Sequence, residues 1–143
     1  MSGFVLDASI AASWCFADEA APATGALLDR AQHEGAAVPG LFPLEIGNLL
    51  LQAERHGRPM PGGVGTRLQL LSELPIRIDS ETAARALRET VLLARTEGLT
   101  TYDAAYLELA LRTGLALATK DEALMRAARR LGVPLLPSDT DEV

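Results

Sequence analysis

Short apolar runs alternate along this chain with longer segments in which apolar residues recur every three or four positions. The first run, Phe4-Val5-Leu6, ends at Asp7 and is typical of a buried strand. Four further strands are predicted at residues 36–38, 75–78, 115–119 and 133–137. Helices are predicted at residues 10–16, 24–35, 44–57, 66–74, 80–98, 102–114 and 121–132. Because strands and helices alternate, the sequence predicts an α/β fold with a central, mainly parallel sheet.

The helix predicted at residues 80–98 has the clearest amphipathic pattern. Its apolar positions recur at spacings of three and four, at Ala84, Leu87, Val91 and Ala94. We therefore expect these four side chains to form one buried face.

Two other segments also carry expectations about local structure. The helix from residue 102 begins with Asp103 in its first turn, and we expect Leu107 and Leu111 to be buried beneath it. The Pro- and Gly-rich stretch at Pro61–Gly65 interrupts the helical pattern. It predicts a loop, or the frayed start of the next helix.

Composition limits the possible classes of protein. The 143 residues are 48% hydrophobic, and no linker or repeat divides them, so residues 1–143 are expected to form one domain. No apolar stretch reaches the ~18 residues that would span a bilayer. The N-terminus lacks the features of a signal peptide, so we expect a cytoplasmic protein with no membrane attachment.

Cys15 is the only cysteine and is expected to be buried. A single cysteine excludes a disulfide within the chain and a zinc site built on several cysteines.

The charge pattern is acidic, with a net charge of −6 and a pI of about 4.9. This excludes the basic surface of a general nucleic-acid-binding protein but not an enzyme that meets phosphates through a bound cation. Lys120 is the only lysine. Trp14 lies in an apolar helix and is expected in the core rather than stacked on a base. The candidate phosphate contacts are the arginines Arg55, Arg58, Arg67, Arg126, Arg129 and Arg130.

Four acidic residues lie where a predicted strand ends or a predicted helix begins. Asp7 and Asp121 follow predicted strands. Glu45 begins the helix after another strand, and Asp103 lies in the first turn of its own helix. The carboxyl ends of parallel strands share one edge of a sheet, so these side chains are expected to meet there. Taken singly, each acid also fits a helix cap.

Four carboxylates in one small pocket would repel each other unless a cation shared the site. The set offers oxygen ligands only, which suit a hard ion such as Mg²⁺, with Mn²⁺ as a substitute. Such an ion supports hydrolysis of phosphate esters, because it binds a phosphate oxygen and activates the attacking water.

Several motifs resemble the PIN domain family, and in particular its VapC-type toxin ribonucleases of type II toxin–antitoxin systems. They are FVLDAS, PLEIGNLL, LTTYDAAYLELALRTGLALATKDEAL and the closing RRLGV. The resemblance covers nearly the whole chain. Its most specific part runs from Thr100 to Asp121.

The resemblance implies a PIN-like three-layer α/β/α fold and specific site residues. Asp7 and Asp103 match the pair that holds the metal most directly, and Ser9 and Thr119 match polar positions that line the site. The catalytic, metal-binding acids of the family match Asp7, Glu45, Asp103 and Asp121.

The same resemblance implies an activity and partners. It implies a Mg²⁺-dependent endoribonuclease in which a metal-activated water cleaves the phosphodiester and leaves a 5′-phosphate. Transfer RNA and ribosomal RNA are the candidate substrates. It also implies a homodimer and inhibition by a VapB-like antitoxin that inserts a segment into the active groove.

Two alternatives remain at this point. In a phosphoryl-transfer domain of the receiver or haloacid-dehalogenase type, Asp7 would be the nucleophile or metal acid and Lys120 the phosphate partner. The Asp7-Ala8-Ser9 sequence argues against it, because receivers have an acidic doublet and those phosphatases a DxD motif. The second alternative is a catalytically idle PIN-like module that only binds a partner.

Overall fold

The structure, a computed structural model, describes residues 3–138. All the strand pairings in its single five-stranded sheet are parallel, in the order β3-β2-β1-β4-β5. This confirms the predicted α/β class with a parallel sheet. The strands are β1 (Phe4–Leu6), β2 (Ala36–Val38), β3 (Ile76–Ile78), β4 (Leu117–Ala118) and β5 (Leu135–Leu136).

Helices connect these strands and flank the sheet. A short 3₁₀ turn, Ala17–Glu19, follows the first helix, and a π-helical turn, Ala86–Thr90, joins the fifth helix to the sixth. The α-helices are α1 (Ala8–Ser13), α2 (Pro22–Glu34), α3 (Phe42–Arg55), α4 (Gly63–Ser72), α5 (Thr82–Arg85), α6 (Val91–Glu97), α7 (Thr101–Thr113) and α8 (Glu122–Arg130). No helix within residues 3–138 is long and apolar enough to cross a membrane.

The three central strands are apolar along their whole length because helices cover both faces of a parallel sheet. Phe4, Val5 and Leu6 of β1 are fully buried, as are both residues of β4. The edge strands β3 and β5 are partly exposed. Helix α7 packs against β1 and β4, so its inner face belongs to the same core.

The apolar face predicted for residues 80–98 is wrong in its first half. Leu87 is 87% exposed and Ala84 is also exposed, whereas Ala94 is buried as expected. The cause is the π-helical turn, which has a wider repeat than an α-helix and rotates the buried face from one side of it to the other. Thr90, at the end of this turn, is the buried position instead.

Of two smaller expectations, one needs correction and the other is resolved by the structure. Leu107 is fully buried under α7, but Leu111, one turn further along the same helix, is 44% exposed. At Pro61–Gly65, the second of the two predicted alternatives, the start of the next helix, is confirmed, because α4 begins at Gly63. Gly62 precedes this helix with a φ of +77°, and a Cβ there would come within 2.8 Å of the Thr66 side chain. Glycine is therefore required at position 62.

The order of the strands creates a topological switch point beside β1. The chain passes from β1 to β2 and β3 on one side, then crosses to β4 and β5 on the other. In open α/β sheets, ligands bind at the carboxyl ends of the strands at such a point. The residues that follow β1 and β4 are therefore the first place to look for a functional site.

Candidate functional site

Asp7 follows β1 directly and is only 5% exposed. Its Oδ2 accepts hydrogen bonds from Ser9 Oγ at 2.8 Å and from Thr119 Oγ1 at 2.7 Å. Thr119 follows β4, so the second bond joins the two strand ends across the switch point. Burial raises the pKa of Asp7, and the neighbouring Asp121 adds to this, although the two hydroxyls oppose the shift. The ionised Asp7 carboxylate is therefore costly in this position.

The loop after β4 is held to the same spot by backbone hydrogen bonds. The N–H of Asp121 donates to Thr119 Oγ1 at 3.0 Å, and the N–H of Lys120 donates to Ser9 Oγ at 2.9 Å. Each hydroxyl thus accepts one bond from this loop and donates one to Asp7. Ser9 and Thr119, which the sequence predicted as polar residues lining the site, fix the position of Asp7 relative to Asp121.

The helix-cap alternative holds for one of the four acids. Asp121 Oδ2 accepts from the N–H of Leu124 at 2.8 Å and caps α8. Asp7 occupies the capping position of α1 but makes no side-chain capping bond. The cap of α7 is Thr100, whose Oγ1 accepts from the N–H of Asp103 at 3.1 Å. Capping therefore does not explain the carboxylates of Asp7 and Asp103.

Asp103 is surrounded by the other three acids. Burial raises its pKa to about 6, and the charges of Asp121, Asp7 and Glu45 contribute in that order, while a hydrogen bond with Thr100 lowers it. All three neighbours are remote from Asp103 in the sequence. The fold brings the four predicted site residues to one place, where they line the same pocket.

Glu45, in the first turn of α3, is held by a residue that the sequence analysis missed. The Tyr106 hydroxyl donates to Glu45 Oε1 at 2.6 Å, while the rest of the Tyr106 side chain is fully buried. The pKa of Glu45 is raised overall. Burial is the main cause and the charge of Asp7 adds to it, while the hydrogen bond from Tyr106 acts in the opposite direction. A spacing of three residues places Tyr106 on the same face of α7 as Asp103, and this spacing was the available clue.

All four acids line one open pocket of about 430 Å³. Within residues 3–138, no three Asp, Glu, His or Cys side chains are grouped closely enough to hold one metal ion as they stand. A shared ion would therefore draw the carboxylates inward. The donor set fits a hard divalent cation, since it consists of carboxylate oxygens, and burial and neighbouring charges raise the pKa values of Asp7, Glu45 and Asp103.

Three further charged residues line the pocket, and the sequence analysis did not place them there together. Glu19 Oε2 accepts from Arg58 Nη2 at 2.6 Å, and Glu19 Oε1 accepts from Lys120 Nζ at 3.1 Å. Sequence periodicity does not reveal this contact, because Glu19 lies in the 3₁₀ turn and the two cations come from separate loops.

The other predicted residues lie away from these acids. Cys15 is buried, as expected. Trp14 packs against the core and donates from Nε1 to the carbonyl of Thr24 at 2.7 Å. Arg67 lines a different cavity, beside Trp14 and Cys15. Of the six candidate arginines, all within the described residues, Arg58 alone lines the acidic pocket.

The comparisons with known proteins agree with this arrangement. The PIN domain family model matches residues 4–130. The crystal structure of PAE2754 from Pyrobaculum aerophilum is similar, with a TM-score of 0.68 and 26% identity over 94% of this chain and 89% of that one. No curated protein matches the sequence. PIN domains are generally metal-dependent nucleases and commonly use divalent ions. Because the family model matches most of its length, the chain belongs to the PIN domain family.

Proposed function

We propose that this protein is a divalent-metal-dependent endoribonuclease. The observation that carries the proposal is the convergence of Asp7, Glu45, Asp103 and Asp121 on one pocket at the switch point of the sheet. We assign these four acids to metal binding and catalysis, with Mg²⁺ as the ion and Mn²⁺ as its substitute. When bound, the ion would compensate the carboxylate charge and supply the Lewis acid for phosphodiester hydrolysis.

The surrounding residues support this role by holding the acids in place. Ser9 and Thr119 orient Asp7 through its Oδ2 atom, and Tyr106 orients Glu45. Asp103 is on α7, whose inner face is packed against the sheet. The carboxylates thus stand on rigid elements with their own hydrogen-bond partners, which is what precise positioning of an ion requires.

We further propose that the enzyme acts as the toxin of a toxin–antitoxin pair. The support is the resemblance of the sequence motifs to VapC-type toxins, above all from Thr100 to Asp121. On this proposal the protein is a cytoplasmic homodimer that cleaves transfer or ribosomal RNA. A VapB-like antitoxin inhibits it by inserting a segment into the active groove.

The phosphoryl-transfer alternative has lost its support. The family match is to PIN domains, and Lys120, its expected phosphate partner, pairs with Glu19 instead. We expect no covalent aspartyl-phosphate on Asp7 after treatment with a phosphodonor.

Cleavage of RNA by the purified, antitoxin-free full chain tests the proposal. The substrate is total transfer RNA with ribosomal RNA, and Mg²⁺ is compared with EDTA. We expect discrete Mg²⁺-dependent cuts with 5′-phosphate ends. Asp103→Asn should abolish them. Glu122→Gln, an exposed position on α8, is the matched control and should cleave like the wild type.

Either of two results would contradict the proposal. If the RNA is still cut in EDTA or by Asp103→Asn, the four acids are not the catalytic residues. A folded wild type that binds Mn²⁺ but cuts none of these RNAs would favour the idle binding module, and expression of the wild type would then leave bacterial growth unaffected.

A further inference from the structure

Arg58 and Lys120 share one carboxylate at the pocket that holds the four acids. Glu19 Oε2 accepts from Arg58 Nη2 at 2.6 Å, and Glu19 Oε1 accepts from Lys120 Nζ at 3.1 Å. The three residues come from the 3₁₀ turn, the segment after α3 and the loop after β4. Each oxygen of Glu19 therefore contacts one cation, and the two cations are held next to each other across separate parts of the chain.

The Arg58 side chain and the Lys120 backbone are also fixed independently of Glu19. The Arg58 guanidinium lies over the Phe16 ring, with its central carbon 3.8 Å from the ring centroid, and its backbone N–H donates to the carbonyl of Ala53. The backbone N–H of Lys120 donates to Ser9 Oγ at 2.9 Å, which ties this residue to the hydroxyl that orients Asp7. Loss of Glu19 would leave the Arg58 guanidinium on Phe16 and the Lys120 backbone in place, and it would release the Lys120 ammonium group.

The cations retain donors for a further acceptor. The carboxylates of Asp18 and Glu19 both contact Arg58 through Nη2. Among the residues that the structure describes, no carboxylate pairs with Nη1 or Nε of this guanidinium. Lys120 uses one of its three donors on Glu19. A tetrahedral phosphate suits this arrangement, because the planar guanidinium and the ammonium can bind two of its oxygens together.

Charge balance indicates why such a subsite is needed. The pocket is lined by five carboxylates, those of Asp7, Glu19, Glu45, Asp103 and Asp121. An RNA backbone is itself anionic and would be repelled beyond the reach of a bound divalent ion. Arg58 and Lys120 are the cations that line this pocket in the described part of the chain. We propose that they form a phosphate-binding rim for single-stranded RNA, with Glu19 as the resident counter-ion that the phosphate displaces.

This inference rests on the proposed nuclease function, and binding measurements separate the two. The protein is the full chain with Asp103→Asn, which stops hydrolysis and removes one repelling charge. The probe is a short fluorescein-labelled single-stranded RNA, and anisotropy gives its Kd in Mg²⁺ across a range of salt concentrations. Arg58→Gln and Lys120→Gln are added one at a time, with Arg88→Gln and Arg95→Gln as controls at exposed positions.

We expect each rim variant to weaken RNA binding several-fold and to lower the slope of log K against log salt by about 0.7, the value for one lost phosphate contact with a single strand. The controls should keep both the Kd and the slope. Glu19→Gln should tighten binding several-fold, because it removes the competing carboxylate while Arg58 keeps its stacking on Phe16. If the ion pairs had only a structural role, all three variants would instead bind RNA more weakly than their parent.

Three results would overturn the inference. They are rim variants with an unchanged Kd and salt slope, control variants that weaken binding as much as the rim variants, and a Glu19→Gln variant that binds more weakly than its parent. If the wild type cleaves RNA while the rim variants bind RNA normally, the proposed phosphate-binding rim is wrong and the proposed nuclease function is retained. If the rim variants lose RNA binding but the wild type cleaves no RNA, the proposed nuclease function is wrong and the rim is retained as part of an RNA-binding site.

Discussion

Asp103 lies inside the first turn of α7, where its charge is disfavoured. Burial and the charges of Asp121, Asp7 and Glu45 raise its pKa to about 6. Because this exceeds the ordinary value of 3.8, the folded metal-free protein holds a proton that the unfolded chain releases. Stability should therefore fall as pH rises from about 4 to about 6, and the penalty should be complete above that window.

Asp103→Asn removes this penalty. In EDTA at pH 7.5 the variant should melt a few degrees above the wild type, and the difference should vanish towards pH 4. Thermal melts across this pH range, with Glu122→Gln as the control, show whether the variant melts above or below the wild type. A variant that melts below the wild type at pH 7.5 would mean that Asp103 stabilises the metal-free fold.

Tyr106 gives a second prediction at the level of single residues. Tyr106→Phe removes the hydroxyl that donates to Glu45 Oε1 but keeps the buried ring. Without this donor, the pKa of Glu45 should rise further and its carboxylate should be less well oriented. Affinity for Mn²⁺ should fall about tenfold, as is typical when a residue that orients a ligand is removed. Tyr102→Phe, 65% exposed on the same helix, is the matched control. Equal affinities for the two variants would contradict this role.

The four acids could be predicted from the sequence because each is adjacent to a recognisable strand end or helix start. The same reasoning missed Tyr106, whose helical spacing fits a core residue equally well. It did not assign Glu19 to the site either, because a turn has no periodicity that reports its neighbours. Contacts made across remote parts of the chain depend on the packing of whole elements, which local patterns do not contain.

At the scale of elements, an ion-pair cluster joins the end of β3 to α7, which carries Asp103. Arg112 Nη2 donates to Asp79 Oδ2 at 2.6 Å, and Arg112 Nε donates to Glu108 Oε1 at 3.0 Å. Burial opposes ionisation of Asp79, but the bonds from Arg112 outweigh it and lower the pKa of Asp79 overall. The pair therefore stabilises the fold above the ordinary pKa of 3.8, and this contribution is lost as pH falls below it.

Arg112→Met should cost about 2 kcal/mol of unfolding free energy at pH 7, because Asp79 loses its arginine partner and Glu108 keeps only Arg85, at a partly solvated site. Urea unfolding at several pH values checks this, and the difference from the wild type should shrink in acid. The control is Arg95→Met, at an exposed position on α6. An Arg112→Met variant as stable as that control would show that the cluster does not hold α7 in place.

The order of strands and helices could be predicted, because buried parallel strands have continuous apolar runs and several helices end at glycine. The buried face of residues 80–98 could not be predicted for the part that precedes Thr90. A π-helical turn is invisible to a pattern that assumes a constant repeat, and it explains why Leu87 is exposed. The start of α4 at Gly63 was obscured for a different reason, since glycine is normally a poor helix former.

At the scale of the whole molecule, topology explains why these residues meet. The chain leaves β1 on one side and returns through β4 on the other, so Asp7 and Thr119 meet at the switch point, 2.7 Å apart through their polar atoms. Helices α3 and α7 then bring Glu45 and Asp103 to the same pocket. The single domain over residues 1–143 stays a prediction, while the family match spans residues 4–130.

Binding of Mn²⁺ to the metal-free full chain tests the central claim, that the four carboxylates form one divalent-metal site. Calorimetric titration at pH 7.5 should show saturable binding that Mg²⁺ competes for, with proton release that increases as the pH is lowered towards 6. Asp103→Asn should weaken the affinity at least about tenfold, and Glu122→Gln should leave it unchanged. If the wild type does not bind Mn²⁺, or if Asp103→Asn binds it as tightly as the wild type, the four acids are not a metal site.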